Sequence, residues 1–397
     1  MSIFLRGHLF AWTVLMFRNI ISTMLEIDGS WGEGGGQILR TALSLSCLLG
    51  RPFRIFDIRK GRKRPGLMPQ HLTAVRASVL VSSGRCAGDA AGSTELVFEP
   101  GKVKPGDYFF DIGTAGSTGL LIQTLLPPLI FSGGQSFVTL SGGTHVPMSP
   151  PFHYISEAFL PMLRKLGADV RASIESYGFY PKGGGKVRFD IKPSIPRKQA
   201  DFTERGRVIS IKGLSAVGNL PLSIAERQRE AFVKGVGTPP LGLPVPEMET
   251  AEVSTPGAGT FIFACLESGG AVPPAILGAF SGFSSLGERG KRAEAVGEEA
   301  ANDLLDYLRS GQCLDRHMAD QLVLYLSLIG GTAEITTSMI TGHLRTNLWV
   351  IEKFLGIEYD IEGEVGKPGR VLIKGRGMPQ NRGGSRGAVP PQNQGGL

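Results

Sequence analysis

Residues 117–129 read STGLLIQTLLPPL, and they are followed by SFVTL (136–140), SGGTHVPMSPPF (141–152), HYISEAFLPMLRKL (153–166), ADVRAS (168–173) and KVRFDI (186–191). The first string is apolar and long enough for a helix, and the second alternates with the period of a strand. The third is punctuated by Gly and Pro like a loop. A second helix follows, then two alternating stretches that can pair as strands. The same order recurs upstream: helix Gln37–Leu49, strand Phe53–Ile58, loop Arg59–Pro69, helix Gln70–Leu80 and strand Thr94–Glu99. It recurs downstream as helix Met318–Leu328, strand Thr332–Thr336, loop Thr337–Gly342, helix His343–Phe354 and strands Ile357–Ile361 and Arg370–Ile373. Self-similarity at this scale predicts an α/β protein built from three repeated βαβαββ-type units, whose sheet faces and helices bury one another around a shared core.

The copies are not contiguous. Residues 24–196 hold the first two and 312–374 the third, together the large domain. Residues 197–311 break the pattern, with a strand-like Val208–Ile211, a Gly/Pro-rich Gly235–Gly259 and a helical Lys291–Arg309, and read as an inserted smaller α/β domain. The first 23 residues resemble a signal peptide but lack a small-residue cleavage site; they read as a non-core extension from an over-extended start codon. Residues 375–397 are Gly, Pro, Gln and Arg with almost no apolar side chain, the composition of a disordered tail.

Bulk properties narrow the function. No uncharged apolar run approaches the ~18 residues of a membrane span, so no membrane role is expected. The net charge of +7 favours an anionic partner such as nucleic acid. Cys47, Cys86, Cys265 and Cys313 are scattered, with neither a metal-binding spacing nor a disulfide framework, which fits a reducing cytoplasm. No zinc-type His/Cys cluster and no Gly-x-Ser-x-Gly elbow occurs, so zinc-hydrolase and esterase readings drop out.

A histidine falls at the loop-to-helix junction of every copy: His71, His153 and His343. Position alone does not distinguish a helix cap from a reactive group. The third copy adds Asp320 and Gln321 at the start of its first helix, where loop geometry can bring a carboxylate toward His343. The segment Gly32-Glu33-Gly34-Gly35-Gly36-Gln37 leads from a strand into a helix, where free N–H groups attract phosphate. It has neither the P-loop ending nor the dinucleotide pattern. A carboxylate among its glycines, Glu33, suits a Mg²⁺ bridging triphosphate oxygens. Arg59-Lys60-Gly61-Arg62-Lys63-Arg64 is a dense basic loop, and Gln123 is a polar residue on an otherwise apolar helix; a solvated loop and an outward-facing helix position are their plain alternatives.

Taken together, Asp28-Gly29-Ser30-Trp31-Gly32-Glu33-Gly34-Gly35-Gly36-Gln37-Ile38-Leu39-Arg40, Pro65-Gly66-Leu67, Gln70-His71-Leu72-Thr73-Ala74, Gly178-Phe179-Tyr180-Pro181-Lys182-Gly183-Gly184-Gly185 and Ala319-Asp320-Gln321-Leu322 resemble the RNA 3′-terminal phosphate cyclase family. The resemblance runs from about Met24 to Ile373. It implies translation-initiation-factor-like repeats with an inserted domain. The implied activity is ATP-dependent conversion of an RNA 3′-phosphate to a 2′,3′-cyclic phosphate, through an enzyme-histidine-AMP and an RNA(3′)pp(5′)A intermediate, in RNA processing or repair. Under it His343 matches the adenylated histidine, and Gln123, His317, Met318, Ala319, Asp320 and Gln321 contact ATP. Arg40, Arg59 and Arg62 hold phosphates, Glu33 holds Mg²⁺ or Mn²⁺, and a homodimer is allowed. One departure stands out: Arg316-His317 replaces the Glu-Tyr common in relatives, so the aromatic stack on adenine is not carried over. The alternatives are a non-catalytic cyclase-like RNA-binding protein of ribosome assembly, which would lack the histidine, and an enolpyruvyl transferase, which shares only architecture.

Overall fold

Strands β1 (Leu25–Asp28) and β2 (Phe53–Phe56) bury every second side chain, Ile27 on one and Phe53 and Ile55 on the other, and this alternation fixes which face meets the core. With helices α1 (Gly36–Leu49) and α2 (Pro69–Ser82) and strands β3 (Arg85–Ala87) and β4 (Leu96–Glu99), they make a sheet of order β1-β2-β4-β3. Its first pair is parallel and the others antiparallel. Helix α1 stops at Gly50, whose φ of 64° places it in the left-handed region while its N–H caps Ser46 O.

The computed structural model describes residues 24–194, 201–237, 243–269 and 278–377. The expected extension 1–23 and residues 378–397 of the expected tail lie outside the described residues.

The second sheet has the same order and pairing sense, β5-β6-β8-β7, from β5 (Asp107–Asp111), β6 (Ser136–Gly142), β7 (Asp169–Ser176) and β8 (Gly185–Lys192). Helix α3 (Thr118–Ile130) starts where the Ser117 hydroxyl accepts from Leu120 N, at 3.1 Å. The helix expected over 153–166 is not regular: it opens as a π-helical segment, Tyr154–Phe159, and only then becomes α4 (Leu160–Lys165). Pro161 is the cause, since it has no N–H for the Glu157 carbonyl and its ring crowds that oxygen. The Cys265 thiol fills the gap, 3.2 Å from Glu157 O.

A second apolar core lies under a further sheet, β9 (Arg207–Gly218), β10 (Glu247–Glu252), β11 (Gly259–Gly269) and β12 (Phe280–Leu286), in the order β10-β9-β11-β12. Helices α5 (Leu222–Val236) and α6 (Ala293–Ser310) pack on it, and Ile211, Phe232, Ile262, Leu304 and Tyr307 fill the space between. Sequence reading placed one strand and one helix here, β9 and α6, and none of α5, β10, β11 and β12. Strand β10 is an edge strand of sequence EMETAE, whose charges mask the alternation.

The chain then forms α7 (Arg316–Ile329), β13 (Gly331–Thr337), α8 (Gly342–Leu355), β14 (Glu358–Glu362) and β15 (Gly369–Gly375), with sheet order β13-β15-β14. Phe202, inside the range read as the insert, lies parallel to β13: its N–H donates to Glu334 O and its carbonyl accepts from Thr336 N, both at 2.8 Å. It therefore occupies the position that β1 and β5 hold in their sheets. Gly375, read as the first tail residue, still pairs with Gly331. Helix α1 packs against both α3 and α8, so a single apolar core joins these three sheets.

Candidate active site

His343 is the second residue of α8, whose start is fixed by Thr341. That hydroxyl accepts from Leu344 N at 2.9 Å and donates to Asp320 Oδ1 at 2.5 Å. The His343 ring leans the other way, onto the glycine-rich turn between β1 and α1, where Nδ1 lies 2.6 Å from Glu33 Oε2. Gly34, at φ 56°, lets that turn fold back so that Glu33 faces α8. The stacked Trp31 and Trp349 rings, 4.5 Å apart and nearly parallel, hold the same turn against the same helix. Arg62 closes the group: its Nη2 is 3.0 Å from Glu33 Oε1 and 3.1 Å from the Glu33 carbonyl.

The charges respond to this arrangement. The close contact with His343 holds the Glu33 carboxyl below its ordinary value, against its partial burial. The same contact raises His343, helped by nearby Asp320 and opposed by desolvation. Asp320 itself is buried and pushed up to about 7 by loss of solvent. With Nδ1 engaged by Glu33, a neutral His343 ring carries its lone pair on Nε2, the arrangement of an oriented nucleophile or metal ligand.

A buried polar network ties α8 to α1 and α7. The Asn347 Oδ1 accepts from Thr41 Oγ1 at 2.7 Å and Gln37 Nε2 at 2.9 Å, and its Nδ2 donates to Asp320 O at 2.7 Å. Gln37 Oε1 accepts in turn from Arg40 Nη2 at 2.8 Å. Arg40 is buried, and desolvation lowers it to about 10. Gly36 makes room for it: a Cβ there would lie 2.7 Å from Arg40 Nη1 and 2.4 Å from His71 Nε2.

These elements line one side of a cleft of about 440 Å³ whose other wall comes from β12 and α6. The size is that of a small-molecule site. Of the residues anticipated from sequence, His343, Gln123, His317, Asp320, Gln321 and Arg40 all face it. Gln123 Nε2 donates to Gln321 Oε1 at 2.6 Å, and Gln321 Nε2 donates to His317 O at 3.0 Å. Met318 and Ala319 do not: both are fully buried in the core beneath α7. Arg59 sits apart, its Nη1 on Gly66 O at 2.9 Å and its backbone at φ 56°.

Sequence reading passed over Asp315 and Tyr154. Asp315 caps α7, accepting from His317 N and Met318 N, and also takes the Tyr154 hydroxyl at 2.9 Å and Gly282 N at 3.2 Å. One buried carboxylate thus joins α7, the π-helical segment and β12 on the floor of the cleft. An Asp immediately before an apolar-periodic helix was the available signal. Gln37, Thr41 and Asn347 were also missed; Gln37 and Thr41 share one face of α1 with Arg40 and Ser44, a polar stripe at helical spacing that was the available signal.

The other junction histidines have structural partners. His71 Nδ1 accepts from Met68 N at 3.1 Å, capping α2, and burial lowers it to about 3. His153 and His145 are buried together, His145 Nε2 lying 2.9 Å from His153 Nδ1 among Tyr177, Phe179 and Phe261. Among the described residues no group of three or more His, Cys, Asp and Glu could hold a metal, and no helix is long and apolar enough to cross a membrane. All four cysteines are unpaired.

Comparison with known proteins gives a consistent result. Residues 31–361 match the family model described as RNA 3′-terminal phosphate cyclase. The curated protein of that name from Ignicoccus hospitalis is 44% identical over 89% of this chain and 99% of its own length. Those from Pyrococcus abyssi and Sulfurisphaera tokodaii are 42% and 45% identical, over 88% and 86% of this chain and 98% and 97% of their own.

Proposed function

The chain belongs to the RNA 3′-terminal phosphate cyclase family, and on that premise we propose that it uses ATP to convert an RNA 3′-terminal phosphate to a 2′,3′-cyclic phosphate, in the cytoplasm and in RNA processing or repair. In this reading His343 Nε2 attacks the ATP α-phosphorus, and pyrophosphate leaves. AMP then passes from the histidine to the RNA 3′-phosphate, giving RNA(3′)pp(5′)A. The adjacent 2′-OH attacks the activated phosphate, AMP departs and the ring closes. Adenylation is needed because a phosphate monoester has no good leaving group.

The observation that carries this reading is the 2.6 Å contact between His343 Nδ1 and Glu33. It leaves Nε2 as the nucleophilic nitrogen, and it tells against the non-catalytic alternative, which has no use for an oriented imidazole. Gln123, Gln321, His317 and Asp320 are assigned to ATP, while Met318 and Ala319 act only through the backbone of α7. Arg40, Arg62 and Arg59 are assigned to phosphates, whose developing charge they stabilise electrostatically. Glu33 Oε1 accepts from Arg62, while buried Oε2 has the ion-pair contact with His343 but no well-aligned hydrogen bond, so acceptor capacity remains for a Mg²⁺ or Mn²⁺. A lone carboxylate is the donor set such an ion accepts when nucleotide phosphates supply the rest, and the ion would neutralise phosphate charge. We also read the three sheets that share a core as copies of one unit, residues 24–196 and 312–374, interrupted by a small domain within 197–311; the matching orders of the first two sheets support this, and Phe202, paired with β13, belongs to the third copy and moves the start of the small domain beyond it.

The test is incubation with α-labelled ATP and Mg²⁺, expected to leave acid-labile label on the protein. His343→Ala should abolish it. Unchanged labelling in that variant overturns the assignment.

A further inference from the structure

The turn Gly178–Gly185 carries part of the family resemblance, yet nothing in the proposed chemistry uses it. It presents Tyr180 to solvent at 68% exposure. The turn is not loose. Phe179 is buried and bridges to His145, and Gly183 N donates to Phe179 O at 2.7 Å. Gly259 accepts the Phe179 ring so closely that a Cβ there would lie 2.1 Å from it. Facing Tyr180 across a groove of about 310 Å³ is Met148, 94% exposed and held at φ 60°, a backbone conformation that disfavours any side chain.

Two large apolar side chains fixed in water on rigid supports are a binding surface in waiting. The groove runs into the active-site cleft, since Leu120, Met148 and Ser149 line both. Its remaining wall includes Ser117 and Gln70. Gln70 Oε1 accepts from Ser117 N at 3.3 Å, and its amide Nε2 has no protein partner among the described residues. The occupant must therefore be planar and apolar on its faces, polar on its edge, and continuous with a molecule that ends at His343. A nucleobase meets all of these requirements, because every base has a π-face for stacking and hydrogen-bonding groups on its edge.

We propose that Tyr180, with Met148 and Gln70, forms a base-stacking subsite for a nucleotide immediately upstream of the reacting RNA 3′ end. The proposal rests on the cyclase reading and adds a recognition site to it. Stacking on Tyr180 is sequence-tolerant, while Gln70 contributes a donor to whichever edge is presented.

The experiment measures cyclisation of short single-stranded RNAs ending in 3′-phosphate by the full chain, Tyr180→Ala and Tyr180→Phe. Each RNA carries either natural nucleotides or one abasic residue at the second or third position from the end. Tyr180→Ala should raise KM for the natural RNA about fivefold to about 150-fold, the ~1–3 kcal/mol of a lost base–aromatic stack. Tyr180→Phe should retain most of the affinity. One abasic position should raise the wild-type KM by a similar factor and add nothing in Tyr180→Ala. Independent, multiplying losses overturn the proposal, as does an unchanged KM. Should Tyr180→Ala fail to fold, the wild-type chain decides alone: no KM change at either abasic position refutes the subsite. Self-adenylation with ATP alone is read in parallel. Its absence in the wild type refutes the cyclase reading, whereas adenylation with an indifferent KM refutes only the subsite. A change in oligomeric state in place of a change in KM would assign Tyr180 to contact with a second copy, which also overturns it.

Discussion

Asn347→Leu tests whether the polar network, rather than apolar packing alone, docks α8 and sets His343 in place. Asn347 is 5% exposed and makes three hydrogen bonds, to Thr41, Gln37 and the Asp320 carbonyl. At a net ~1 kcal/mol each, their loss costs about 3 kcal/mol. Leucine has similar volume, and its added apolar burial offsets about 1 kcal/mol. The net expectation is a destabilisation of about 2 kcal/mol, read as a lower urea midpoint at unchanged slope. Thr41 is equally buried, and in Asn347→Leu its hydroxyl still accepts from Gln37 Nε2 at 3.1 Å but has lost the acceptor for its proton, a donor that pairing the change with Thr41→Val removes. The double variant should be less destabilised than the sum of the singles by about 1 kcal/mol. Because His343 lies one turn before Asn347, labelling from α-labelled ATP should fall together with stability. A loss below about 0.5 kcal/mol, or strict additivity with Thr41→Val, would show that the bonds are not what seats the helix.

Glu33→Gln should move the pH profile of self-adenylation toward acid. Glu33 raises His343, the proposed reaction needs the neutral ring, and removing the negative acceptor lets the ring deprotonate at lower pH; an unmoved or alkaline-shifted profile contradicts this. The same pair makes stability pH-dependent. Its contribution is full between the ordinary values of 4.5 for Glu33 and 6.5 for His343; it fades as pH falls through the lowered carboxylate value or rises through the raised imidazole value. Gly36→Ala should destabilise by about 1–3 kcal/mol, since its Cβ must displace both Arg40 and the capping His71; a thermal midpoint equal to wild type would mean that both side chains move aside freely.

Much of the site was legible because its parts are local. The glycine-rich turn, the helix start at His343 and the polar Gln123 on an apolar helix are each set by a few neighbouring residues. The Asp320–Gln321 segment could be placed at the head of α7 for the same reason. What spacing could not show is orientation within that segment: Met318 and Ala319 share its helix with Asp320 and Gln321, yet they turn into the core. Helical phase relative to the cleft depends on what the helix packs against. The histidines make the same point, since His71 sits at a helix start just as His343 does but is spent on capping α2.

The sequence by itself determined the alternation of strands and helices, the turn that offers Glu33 and the helix end that offers His343, because backbone preference and apolar period act over a few residues. Only the tertiary structure decided that Glu33 and His343, more than three hundred residues apart, would meet at 2.6 Å, and that Tyr154, Gly282 and Asp315 would converge beneath the cleft. Such encounters are fixed by the burial of α1 against α3 and α8 in one core, a condition on the whole chain that no local stretch encodes.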